Sequence, residues 1–178
     1  MKKYATILLT LLLSSCGSYN SINNFYNMHK NDANVTAAQV PNYLLSLLRN
    51  TSGEMNNFMG NVREIRYIQL SPKTETQSKL ISSQINNLTT NNFVEVYRKN
   101  EDTKRTLISL RKKKDVVKEI IIYKNGNKNN SVFYLNGNFD PQRVRKYTKE
   151  GKFENISSLI FNEMDFNSSD SEKETSTN

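Results

Sequence analysis

From residue 93 onward the chain carries four short β-prone runs in succession, at 93–98, 103–111, 116–123 and 132–139, separated by polar turns. Connections this short leave no room for the crossover helices that parallel pairing needs, so the four runs predict an antiparallel meander. Asn125-Gly126 suits a hairpin turn, and Asn136-Gly137 inside the last run marks a bulge or the strand's end. A fifth strand is predicted over 62–70, where Ile65 and Tyr67 alternate with Glu64 and Arg66 before Ser71-Pro72. Phe133, Leu135 and Phe139 fall on one side of the last run and Val132 and Tyr134 on the other, so both sheet faces carry bulk and one is left partly open.

Helical spacing fills the rest. Val40, Tyr43, Leu44, Leu47 and Leu48 follow it around Pro41, and Met55, Phe58 and Met59 repeat it up to Gly60-Asn61. Residues 74–90 place Leu80, Ile81, Gln84, Ile85 and Leu88 on one stripe. Asp140-Pro141 supplies an N-cap and a first-turn proline for a helix through Tyr147, and 153–164 holds a weaker amphipathic stretch. The expected fold class is α+β: a mainly antiparallel sheet of about five strands with a C-terminal meander, and helices packed on one face.

The N-terminus reads as an export signal. Lys2 and Lys3 precede a ten-residue, mostly apolar run that is half the length a membrane-spanning helix needs. Leu13-Ser14-Ser15-Cys16-Gly17 then resembles a bacterial lipobox, which implies cleavage before Cys16 and its lipidation. Buried methylenes contribute about 0.8 kcal/mol each, so several acyl chains make a lasting anchor. Gly17 in place of Asp, with no acidic run after it, points to the outer membrane, facing the periplasm. The expected organisation is a signal peptide at 1–15, a flexible tether at 16–24, one domain at 25–164 and a disordered acidic tail at 165–178.

Removing Lys2 and Lys3 from 25 basic residues, against 17 acidic ones, leaves +6. The tail holds −3 of that balance, so residues 16–164 carry +9. The densest stretch, Arg98, Lys99, Lys104, Arg105, Arg111, Lys112, Lys113, Lys114 and Lys118, is a candidate patch for an anionic partner. An exported, anchored protein does not meet nucleic acid, so the expected partners are the membrane through its lipid anchor and an anionic lipid or acidic envelope protein. The competing reading is a solvated set of strand ends where lysine discourages edge pairing.

The lipobox, the Asn24–Met28 segment, the long helix, the meander and the closing run from Val132 through Gly137-Asn-Phe-Asp-Pro141 together resemble DUF4252, a family of uncharacterised exported proteins of Bacteroidetes. The likeness spans about residues 24–148. It implies a compact α+β domain in a bacteroidete cell envelope and brings no catalytic residue with it.

One His and one Cys exclude a His/Cys metal site, a Cys-His catalytic pair and an internal disulfide. His29 lies in a polar segment and reads as a surface residue. Glu64 and Glu95 would form a carboxylate pair only if their strands adjoin. Tyr67, Tyr97, Tyr123 and Tyr134 fall on predicted strands, where a tyrosine-bearing face would cup an apolar ligand or simply cap the sheet. No phosphate-binding glycine loop, nucleophile elbow or calcium loop occurs. The sequence therefore predicts a non-enzymatic envelope lipoprotein, without cofactor or metal, that binds or scaffolds through its basic body. The alternative is a carrier of lipid or another apolar ligand between sheet and helices.

Overall fold

The computed structural model describes residues 21–50, 53–90, 92–101, 104–126, 129–153 and 155–156. Cys16, the signal segment and the acidic tail lie outside the described residues. In chain order the elements are α1 (Ile22–His29), β1 (Val35–Gln39), α2 (Asn42–Arg49), α3 (Gly53–Met59), β2 (Val62–Leu70), α4 (Glu75–Thr90), β3 (Val94–Glu101), β4 (Lys104–Lys113), β5 (Val116–Asn125), β6 (Asn130–Phe139) and α5 (Pro141–Lys149). The fold is α+β, as expected, with one six-stranded antiparallel sheet in the order β1-β2-β6-β5-β4-β3. The meander β3 to β6 forms as predicted, and β6 turns away from it to pair with β2.

The sixth strand, β1, is a short edge strand, Val-Thr-Ala-Ala-Gln, whose alanines carry little β signal. A second correction concerns the layers: helices cover both faces of the sheet. On one face Leu44, Leu45 and Leu48 of α2, Phe58 and Met59 of α3, and Val144 and Tyr147 of α5 pack on Ile65, Ile108, Ile120, Ile122 and Leu135. On the other, Ile22 and Phe25 of α1 and Ile81, Ile85 and Leu88 of α4 pack on Ile68, Leu107, Ile121, Tyr123 and Val132. The cause lies in β5, which is apolar at four consecutive positions from Ile120 to Tyr123, so each of its faces must be covered.

The expected tether also ends sooner than residue 24. Ser21 caps α1 by accepting from the Asn24 amide at 3.3 Å, and Ile22 and Phe25 are buried. On the opposite layer Phe58 binds the helices together, with ring centroids 5.3 Å from Phe139, 5.0 Å from Tyr147 and 5.7 Å from Phe153. Phe153 and Ile156 thus join the core, while the rest of 157–164 lies outside the described residues.

The glycine in the final strand has a steric reason. A Cβ at Gly137 would stand 2.2 Å from the Asn61 carbonyl oxygen, which accepts from the Asn138 amide at 3.0 Å. The registers of β2 and β5 both shift opposite this stretch, between Val62 and Glu64 and between Val117 and Glu119.

Candidate functional site

Strand β4 divides the basic run. Lys104 begins it and Lys113 ends it, nine steps apart, so the two groups of cations are separated by about 30 Å along the sheet. At the Lys104 end Arg98 forks onto Glu95, and Lys99 Nζ lies 2.6 Å from Glu101. The Arg98 hydrogen bond holds the Glu95 carboxyl below its usual range, and Lys99 does the same for Glu101. Arg105 is partly buried, with its Nε enclosed. Two of the four cations in this half, Arg98 and Lys99, are paired with neighbouring carboxylates. The basic run is thus divided between the two ends of β4.

The other half is different. Arg111 pairs with Glu119 beneath the Phe93 ring, and Lys118 Nζ donates to Asn138 Oδ1. Lys112 and Lys113 end β4 and Lys114 opens the two-residue turn to β5; all three are exposed and form no ion pair among the described residues. Lys114 takes a positive φ of 57°, a conformation that glycine or asparagine adopts at lower cost.

The first residues of α1 reach the middle of β2 instead. Asn23 Oδ1 accepts from Arg66 Nη1 at 2.6 Å, and Arg66 lies one register row above Glu64, Asn136, Glu119 and Arg111. That contact lies in the middle of the sheet, five residues along β5 from the strand's start at Val116. Phe139, which pairs with Val117, hands the chain to α5. A surface groove of about 750 Å³ runs along α5, lined by Asn57, Asp140, Arg143, Lys146, Tyr147 and Lys152. Arg143 Nη1 donates to the Asn57 carbonyl at 2.6 Å, and Lys152 Nζ sits 5.4 Å above the Tyr147 ring and 2.9 Å from Glu150.

His29 is not the free surface residue its neighbours suggest. Its Nδ1 contacts Asp32 Oδ2 at 2.7 Å and its Nε2 contacts Gln84 Oε1 at 3.0 Å, tying α1 to α4. Glu64 and Glu95 do not pair, because β6, β5 and β4 lie between their strands. The strand tyrosines divide between the faces, Tyr67 and Tyr97 on one and Tyr123 and Tyr134 on the other. Tyr67 donates to Gln69 at 2.6 Å and Tyr123 to Asn130 at 2.8 Å, so both hydroxyls are satisfied locally.

A family model described as "Domain of unknown function (DUF4252)" matches residues 26–147, well over half of the chain. The chain belongs to the DUF4252 family. No curated protein and no solved structure matches it. Within this DUF4252 domain, sequence reasoning passed over two features. One is Glu119, the single charged side chain among the buried described residues. The other is the α5 segment, where five cations and one carboxylate between Pro141 and Lys152 gave a charge signal as dense as the run that was singled out. Among the described residues no cluster of three metal-ligating side chains occurs, and no helix is long and apolar enough to cross a membrane.

Proposed function

We propose that this DUF4252 protein is a lipoprotein of a bacteroidete cell envelope, anchored through Cys16 to the outer membrane on its periplasmic side. It acts without catalysis, as a binding module that holds one end of its sheet against anionic head groups or an acidic partner. The observation that carries this reading is the trio of lysines where β4 turns into β5: Lys112, Lys113 and Lys114 are all exposed and form no ion pair among the described residues. Four residues lie between Cys16 and Ser21, so a lipid on Cys16 would keep the start of α1 within about 18 Å of the bilayer surface. Each of the three lysines that meets an anionic surface adds about 1 kcal/mol to the attraction. Lys114 supports the reading independently, because a cation stands where the backbone favours glycine.

The test has two parts. Cys16→Ala should move the protein from the membrane fraction to the soluble fraction and remove the mass added by acylation; unchanged fractionation and mass would end the anchor reading. With the Cys16→Ala chain, changing Lys112, Lys113 and Lys114 to Gln should weaken binding to phosphatidylglycerol-containing vesicles by roughly a hundredfold at low salt, and the difference should shrink as salt rises. Equal binding by both proteins would leave the turn without a role. The carrier alternative finds no supporting observation, since side chains of both cores fill the contacts between sheet and helices.

A further inference from the structure

On the sheet face that carries α1 and α4, one register row runs Glu64, Asn136, Glu119 and Arg111 across β2, β6, β5 and β4. The adjoining row runs Arg66, Tyr134, Ile121 and Ser109, and the row after that is apolar, with Ile68, Val132, Tyr123 and Leu107. Two Glu–Arg pairs therefore flank Asn136 and Tyr134 on a face that is otherwise core. Both pairs are partly exposed to solvent, where ion pairs add little to stability.

The hydrogen bonding leaves capacity unspent. Glu64 uses Oε1 for both its contacts with Arg66, and Glu119 uses Oε1 for Arg111. Each carboxylate keeps Oε2 as an acceptor, and Asn136 keeps Oδ1 because its Nδ2 is the atom that donates to the Tyr134 hydroxyl, at 3.2 Å. The Tyr134 phenol stays protonated, pushed up to about 12 by burial, with the Glu119 and Glu64 carboxylates adding to the shift. Its O–H is a donor beside three acceptors. Side-chain exposure is 25% at Glu64 and 42% at Arg111 but 9% at Glu119, which describes a row open at its ends and deep at its middle. Half-buried rings stand at the two ends: Tyr26 lies 5.3 Å over Arg66, and Phe93 lies 5.7 Å over Arg111.

We propose that this row, Glu64–Asn136–Glu119 with Tyr134 beneath and the Tyr26 and Phe93 rings beside it, is a binding site for a neutral sugar ring. Glu64 and Glu119 stand two strands apart, about 10 Å between backbones, with Asn136 between them. Each carboxylate already has its guanidinium, so the row has no net charge to draw a simple cation or anion. What it offers is a line of directional acceptors and one donor, which suits hydroxyl groups, and aromatic faces that suit the C–H faces of a pyranose.

Saturation-transfer difference NMR on the full-length chain, with millimolar glucose, N-acetylglucosamine and lactose, tests this. Glucosamine and glucuronate serve as charged comparators. At least one neutral sugar should receive saturation, and Asn136→Leu should lower that signal at least fivefold while thermal unfolding shows a folded protein. Tyr26→Ala, a change at the half-exposed rim, should also lower it and serves if Asn136→Leu does not fold. No transfer to any neutral sugar, equal transfer in the variants, or transfer confined to a charged comparator would overturn the assignment.

Discussion

Gly137 and Lys114 sit in opposite situations, and single substitutions should separate them. At Gly137 the Asn61 carbonyl leaves no space for a Cβ, so Gly137→Ala should destabilise by about 2 kcal/mol or more, seen as a lower urea midpoint. At Lys114 the positive φ favours glycine, so Lys114→Gly should raise stability by about 0.5–1 kcal/mol while weakening vesicle binding. Tyr134 yields a pH test. Its folded pKa of about 12 lies above the unfolded value of 10, so its stabilising contribution is complete below pH 10 and falls as pH rises toward 12. Wild type should lose stability relative to Tyr134→Phe by about 1.4 kcal/mol per pH unit in that window, read from urea midpoints at fixed ionic strength. A constant difference would mean that the phenol ionises as freely in the folded state as in the unfolded one. The sequence marked Glu64 but assigned it the wrong companion: Glu119 shares its row only because β6 inserts between β2 and β5, which no local pattern states.

Elements with long, regular patterns were legible. The α4 stripe, the four meander strands and the Asp140-Pro141 start of α5 all appear where spacing and capping put them, with Asp140 Oδ1 accepting from the Gln142 amide at 2.7 Å. Asp140→Ala should cost about 1 kcal/mol in thermal unfolding. The elements that escaped were α1 and β1. Two buried side chains, Ile22 and Phe25, hold α1 within a polar segment, and β1 is five residues with two alanines. Both depend on the partner they pack on rather than on their own propensity. Phe25→Ala should therefore release α1, at a cost of about 3–5 kcal/mol, and raise amide exchange across residues 22–29.

At the scale of the whole molecule, the strand that closes the sheet is almost the last one made. β1–β2 and β3–β4–β5 are each formed from neighbouring segments, yet they meet only through β6, whose residues 130–139 occupy the middle of the sheet. A chain still missing those residues has two separate β units with four open edges, and neither helical layer has its full floor. Cooperative folding therefore waits for the C-terminal third of the polypeptide, through contacts of large sequence separation that make it slow. If the chain is exported N-terminus first, as proposed above, this order of assembly keeps the leading portion unfolded and passable until the trailing portion has arrived.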